Sequence, residues 1–357
     1  RTVFGKGSFS LLVIMHGVKR SDYEAIPKAE REAKLNKIRH YTKLTKTVLK
    51  AHQAAAYTDK MFDLTGQLIE MNPDFYTLWN YRREAVSERI KKAPEDLKSI
   101  CAGEMQLVER AFRKNPKSYY AWHHRVWIIA KGTTDLKREV ALCTKFLGMD
   151  SRNFHCWNYR RYVLMLGGAT LQDDLKYASS KIDDNFSNYS AWHHRSFIIP
   201  KLLDSVKPEE IKKLVDEEFE LLKQAFFTDP GDQSAWLYHR WLLGQVVGLG
   251  VRAGERCISS TIPKKFIVTS KEGQIKILKQ EMAMVEELLE IEEECKWALL
   301  AVAMLIQGLR ERGAEEEGFA QRVAKIFEEL LTLDPMRERY YVDMRKNVVD
   351  SLEGKKT

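Results

Sequence analysis

Tryptophan recurs along this chain at Trp79, Trp122, Trp157, Trp192, Trp236 and Trp297, and the residues around it recur as well. Aligned on the indole, five windows read NPDFYTLWNYRR (72–83), NPKSYYAWHHRV (115–126), DSRNFHCWNYRR (150–161), NFSNYSAWHHRS (185–196) and DPGDQSAWLYHR (229–240). EIEEECKWALLA (290–301) is a degraded sixth copy, and DPMRERYYVDMR (334–345) is a seventh with Tyr341 in the tryptophan's place. Asn or Asp stands seven residues before the aromatic in six of the seven windows, and proline follows it in four, which leaves chance out. A period of 35 to 44 residues between good copies marks a repeat architecture.

Each recurrent residue has a physical reason. Asn/Asp-Pro ends a helix, because proline lacks an N–H and disfavours α geometry in the residue before it. Ser118, Asn153, Asn188 and Asp232 stand four residues before a tryptophan and suit a helix N-cap. The tryptophan then falls in the first turn of a new helix, and amphipathic stretches such as 101–112 and 217–227 supply a helix between copies. One helix pair cannot bury its own apolar face, so neighbours must stack into an all-α solenoid. Burying a tryptophan contributes at most about 4–6 kcal/mol, so the repeated indoles Trp79, Trp122, Trp157, Trp192 and Trp236 are read as structural. Arg125 recurs as Arg82, Arg160 and Arg195, which predicts a structural bond to neighbouring backbone or carboxylates. The stretch 244–281 breaks the spacing; its Gly244, Gly248, Gly250 and Gly254 predict a loop, and 265–277 a strand or two, without a separate domain.

Composition narrows the class. At 44% hydrophobic and 30% charged, the 357 residues are those of a globular protein, with no apolar run long enough to span a membrane. The segment FSLLVIM (9–15) resembles a secretory signal faintly, but it is short and no small-x-small cleavage site follows. Five scattered cysteines, Cys101, Cys143, Cys156, Cys257 and Cys295, form no CxxC pair, which points to reduced thiols in the cytoplasm. Cys143 and Cys156 lie in apolar helical patterns and belong in the core. The net charge of +8 resides in residues 1–60, with 13 basic and 5 acidic side chains; the rest is neutral. A basic arm of this kind attracts nucleic acid or acidic lipid, although a solvated face over 28–50 explains it more simply. The neutral body argues against nucleic-acid binding.

Among motifs that carry chemistry, no P-loop, GxGxxG, GxSxG or HExxH occurs. His123–His124 and His193–His194 suggest metal ligands, but adjacent helical residues point about 100° apart, so no metal is assigned to this chain. A complete catalytic set is absent, leaving a binding scaffold or one subunit of an enzyme whose chemistry lies elsewhere.

The repeated N-P-x-x-Y-x-x-W-H-H-R pattern closely resembles the repeat of protein prenyltransferase α subunits over about residues 58–345. NPDFYTLWNYRRE, NPKSYYAWHHRVW, RNFHCWNYRR, NFSNYSAWHHRS and FFTDPGDQSAWLYHRWLLG lean toward the Rab geranylgeranyltransferase (type II) group rather than the farnesyltransferase/type I group. Met15-His16-Gly17 resembles the natural start of that subunit, and the chain looks like its short form, without immunoglobulin-like and leucine-rich-repeat domains. The resemblance implies a right-handed α-α superhelix of about seven helical hairpins, partnered by an α–α barrel β subunit. It implies transfer of geranylgeranyl from its diphosphate to C-terminal cysteines of Rab GTPases presented by an escort protein. Zinc, bound by the β subunit, lowers the thiol pKa, and magnesium is a further candidate cofactor.

The resemblance also implies roles, residue by residue. Lys117 reaches the diphosphate, and Tyr119 neighbours the same pocket. Asn153 and His155 match the asparagine and histidine of the third repeat, and Asn153 also suits an N-cap. Lys117 and His155 are the expected catalytic contributors; Arg125 is read as structural first. His16 is a candidate to reach a partner's metal from the N-terminal tail. The expected organisation is a 1–22 extension, a 23–350 repeat domain and a 351–357 tail. Competing expectations are a farnesyltransferase or type I α subunit and a non-catalytic helical-repeat scaffold.

Overall fold

The structure, a computed structural model, describes residues 27–205, 207–249, 268 and 270–352. The features read at 1–22, with the 9–15 segment and His16, lie outside these, as do Gly250, Gly254, Cys257 and 353–357. The described residues are helices and connections with no strand. They fall in two compact units, one ending at Thr134 and one starting at Asp135.

The first unit holds α1 (Lys28–Gln53) and two hairpins, α2 (Asp59–Met71) with α3 (Tyr76–Lys92) and α4 (Leu97–Lys114) with α5 (Tyr119–Ile129). The second holds five hairpins. These pair α6 (Leu136–Met149) with α7 (Phe154–Met165), and α8 (Leu171–Asp183) with α9 (Tyr189–Ser205). Next are α10 (Pro208–Thr228) with α11 (Gln233–Val246), α12 (Lys271–Leu289) with α13 (Lys296–Glu311), and α14 (Phe319–Leu333) with α15 (Glu338–Leu352). Seven hairpins therefore form, as the repeat count predicts, with α1 in front of them.

The repeat is built around its turn. Seven residues before the indole, Asn72, Asn115, Asp150 and Asn185 accept from the backbone N–H two residues on, at 3.2, 3.0, 3.1 and 2.9 Å. This Asx turn explains why Asn or Asp is needed there. One residue later, the carbonyls of Pro73, Pro116, Ser151, Phe186 and Pro230 accept from the indole Nε1–H of Trp79, Trp122, Trp157, Trp192 and Trp236, at 2.7–2.9 Å. Each of these tryptophans is the fourth residue of its helix and is buried. Thus the indole fills the core and satisfies a carbonyl of its own turn. Ser118, Asn153 and Asp232 cap α5, α7 and α11, and Asn188 accepts from the Ala191 N–H at the start of α9.

The sixth copy departs in register, whereas the seventh keeps it. Trp297 is only half-buried and donates instead to the Gly231 carbonyl of the preceding hairpin at 3.1 Å. Tyr341 does take the indole's place: it is buried, and its hydroxyl donates to Asp334, seven residues back, at 3.1 Å.

Hairpins are tied together by buried charge. Arg82 on α3 donates to both oxygens of Glu104 on α4, at 2.9 and 2.7 Å, and His124 on α5 meets the same carboxylate at 2.9 Å. In the second unit Arg160 and His194 share Asp174, and Arg195 and Tyr238 share Glu218. Tyr159 donates to Glu139 at 2.7 Å, and His239, standing where other repeats have arginine, meets Glu281 at 2.9 Å. The structural reading of the recurrent arginine therefore holds for Arg82, Arg160 and Arg195, and Arg125 lies fully buried with Glu109 3.5 Å away. Burial alone would push the Glu104 carboxyl up, but the His124 hydrogen bond and the Arg82 charge outweigh it and hold the group below its ordinary value. Asp174 is lowered in the same way, with His194 and Arg160 overcoming burial. Burial lowers His124 and His194, which keeps both rings neutral near pH 7.

One local expectation fails. Within 265–277, where a strand or two was expected, residues 271–277 are the start of α12. Ser270 caps that helix by accepting from the Gly273 N–H, and Arg312 binds the Gln274 side chain at 2.6 Å as well as the Gly308 and Val247 carbonyls. The cap and this cross-bracing outweigh the β-branched character of the segment. Gly244 is likewise helical, in α11, whereas Gly248 lies just past its end at φ 69°.

Candidate functional site

Lys117 and Tyr119 share one turn of the first unit, and Asn153 and His155 share the equivalent turn of the second. Lys117 is exposed on the Asx turn, with its backbone N–H held by Asn115. Behind it the turn is fixed by Ser118, whose hydroxyl donates to the Pro73 carbonyl at 3.0 Å, and by Trp122. The backbone under the ammonium is therefore rigid. A lysine so placed offers a compact charge to an anion such as a diphosphate. Tyr119 opens α5 and is 65% exposed.

Asn153 is buried, and its side-chain oxygen accepts from the Cys156 N–H at 3.2 Å. The capping role read from its position is observed. That cap sets the first turn of α7, on which His155 is half-buried, its ring centroid 4.0 Å from that of Phe154.

Beside Tyr119, already singled out, the structure exposes the matching aromatics of other repeats. Three residues before the indole, Tyr76, Tyr119, Phe154 and Tyr189 are all more than half exposed. A recurrent aromatic at an exposed position is not a core residue, and the fixed offset from tryptophan was its signal. In the first unit Tyr76 packs against Tyr120 at 5.9 Å, and Arg83 contacts His123 Nδ1 at 3.0 Å and Asn80 at 2.5 Å. Burial lowers His123, and the Arg83 charge adds to this, so the ring is neutral and accepts from the guanidinium. In the second unit a cleft of about 400 Å³ opens among α11, α13 and α15. Trp236, Trp297, Leu300 and Tyr340 wall it, and Arg240 is the exposed cation among its lining residues.

The paired histidines divide their work. His124 and His194 are buried on carboxylates, while His123 meets Arg83 and His193 stacks on Tyr189. Among the described residues no three His, Cys, Asp or Glu side chains converge to hold a metal. Also among them, no helix is long and apolar enough to cross a membrane.

The protein prenyltransferase alpha subunit repeat matches residues 58–89, 101–132, 136–166, 171–202 and 215–246, which are the first five hairpins. A geranylgeranyl transferase type-2 subunit alpha of Dictyostelium discoideum is 36% identical over 340 residues, 94% of this chain and 100% of that protein. This chain is a member of the type-2 geranylgeranyl transferase α-subunit family. The human type-2 α subunit is 37% identical over 272 residues, 72% of this chain and 48% of its own length. The Arabidopsis thaliana type-2 α subunit 1 is 45% identical over 242 residues, 66% of this chain and 35% of its own length. The chain thus spans about half the length, or less, of these two relatives and the whole of the Dictyostelium one. Candida albicans protein geranylgeranyltransferase-I complexed with GGPP has the same fold, with a TM-score of 0.64 at 20% identity, covering 87% of this chain and 91% of that chain. The type-2 α-subunit family therefore accounts for the five good tryptophan repeats, and the sixth and seventh hairpins extend the same architecture.

Proposed function

We propose that this chain is the α subunit of a heterodimeric geranylgeranyltransferase acting in the cytoplasm on Rab GTPases. The reaction moves a geranylgeranyl group from its diphosphate to C-terminal cysteines of a Rab protein presented by an escort protein. The observation that carries this reading is the exposed Lys117, set on a braced turn, in a chain whose full-length Dictyostelium relative is a type-2 α subunit.

Lys117 is assigned to the departing diphosphate: its ammonium neutralises charge that builds as the carbon–oxygen bond breaks. His155 is assigned a hydrogen bond to the substrate, with Asn153 setting the first turn of α7 through its cap, and Tyr119 is assigned a substrate contact beside Lys117 on its own turn. In this reading zinc belongs to the β subunit, as the family resemblance implies, and magnesium to the diphosphate. The exposed aromatics Tyr76, Tyr119, Phe154 and Tyr189, and the cleft beside Trp297, are the surfaces assigned to that partner.

Co-expression with and without a type-2 β subunit, followed by a geranylgeranyl transfer assay on a Rab protein with its escort, tests the reading. Activity confined to the co-expressed pair is expected. A stable pair without transfer would overturn the catalytic assignment, and failure to pair would overturn the type-2 partnership. Transfer to acceptors of the type I enzyme would reassign the partner.

A further inference from the structure

The basic excess noted near the N-terminus has a definite place in the fold. From Ala33 to Gln53, α1 carries no acidic residue but holds Lys34, Lys37, Arg39, Lys43, Lys46 and Lys50. At 3.6 residues per turn, Arg39, Lys43, Lys46 and Lys50 fall within an arc of about 60°, a straight row roughly 17 Å long. Val48, the buried residue of α1, projects from the opposite side of the helix, so the row faces away from the core. All four cations are exposed, and a shallow groove runs between them over Thr42 and Thr47. Elsewhere lysines are commonly paired, as Lys91 is with Glu88, Lys223 with Glu287 and Lys279 with Glu316. Among the described residues no carboxylate is within 4 Å of Lys43, Lys46 or Lys50, so none of those residues neutralises them.

We propose that this row on α1 docks the protein on an anionic lipid surface. Its chemistry selects that occupant. Three of the four charges are lysines, compact and mobile, which suit a diffuse field of headgroups better than the two-pronged recognition that arginine gives. No exposed Phe, Tyr or Trp lies between them to stack on a base, as single-stranded nucleic acid would need. Leu35 is 41% exposed and in line with the row, and Ile38 is 51% exposed beside it. Both are apolar side chains at the end of the stripe that a bilayer interface accommodates. The row is straight and lies on one helix, so a flat surface meets all four charges together. The docking itself does not depend on catalysis. Its use follows from the proposed reaction, whose product carries a long hydrocarbon chain that has to reach a bilayer.

The test is sedimentation of the chain, in complex with its partner subunit, with vesicles of phosphatidylcholine alone and of phosphatidylcholine mixed with phosphatidylserine. Binding confined to the anionic vesicles and lost at high salt is expected. The triple variant Lys43→Gln, Lys46→Gln, Lys50→Gln should bind them about 100-fold more weakly. Its transfer activity on a soluble acceptor should stay unchanged, which separates this proposal from the catalytic one. Equal binding to neutral vesicles, or unchanged binding by the variant, overturns the proposal. Salt-sensitive binding to polyglutamate or RNA in place of the vesicles assigns the row to an acidic protein or nucleic acid and overturns it too.

Discussion

Arg82 and Glu104 stand on consecutive hairpins and are joined by two hydrogen bonds, of 2.9 and 2.7 Å, inside the protein. The two charges are taken out of water together, with Thr65, the Phe62 carbonyl and His124 satisfying the remaining donors and acceptors. Glu104→Ala leaves a guanidinium buried without its countercharge and is expected to cost about 3–5 kcal/mol. Replacing both partners by methionine should recover most of that loss, because a buried pair contributes little beyond an apolar isostere. Urea unfolding of the three variants reads both effects; a double variant as unstable as Glu104→Ala would refute the account.

Trp157 offers a cleaner separation of packing from hydrogen bonding. Its indole fills the core and donates to the Ser151 carbonyl at 2.8 Å. Trp157→Phe keeps much of the volume but strands a carbonyl of the turn, at a cost of about 1–3 kcal/mol. Trp157→Ala adds a cavity, for about 3–5 kcal/mol. Trp297, half-buried and bonded outside its own turn, should tolerate the phenylalanine change with less loss, and thermal unfolding ranks the three.

Acid should weaken the fold in two steps of the same sign. His124 and His194 are lowered in the folded state, so an unfolded histidine takes up its proton first, near its ordinary value of about 6.5. Stability from these groups is present above that value and is lost as pH falls toward their folded values. Glu104 and Asp174 are also lowered, and their contribution disappears below the ordinary carboxylate range of about 4. Melting temperature against pH should therefore fall below about 6.5 and again below about 4. His194→Gln should shrink the upper step, and an unshifted upper step would argue against neutral buried histidines.

Turn and tryptophan were legible in the sequence because each acts within its own repeat, at a fixed offset over a few residues. The helix pairing, the caps and the burial of Tyr341 all follow from that local pattern. The carboxylate ladder was harder to see. Glu104, Glu139, Asp174 and Glu218 each stand 18 residues before a tryptophan, but on a different helix, and a mixed Glu/Asp position among many surface acids carries a weak signal. Arginine gave half of the answer, since a charge that recurs beside a buried indole needs a partner. Residues 271–277 misled because alternating apolar residues read as a strand until the Ser270 cap is seen. Of the proposed site, Asn153 was legible as a cap from local rules, whereas the roles of Lys117 and His155 rest on family resemblance.

Lys117 gives the decisive prediction for the proposed function. The side chain is exposed and the turn beneath it is held by the Asn115 side chain, the Ser118 hydroxyl and the Trp122 indole. Lys117→Ala should therefore leave folding and pairing with the β subunit intact while slowing prenyl transfer at least tenfold, about 1.4 kcal/mol of transition-state stabilisation. Lys117→Arg keeps the charge in a different shape and should restore part of the rate. If the charge acts on the departing diphosphate, the loss falls on kcat more than on KM, because that negative charge is greatest in the transition state. Steady-state assays of the assembled pair, with melting temperature and gel filtration as controls, make the comparison. Full turnover by Lys117→Ala in a well-assembled pair would show that the lysine is a solvated turn residue, and the diphosphate would then have to be met by other cations.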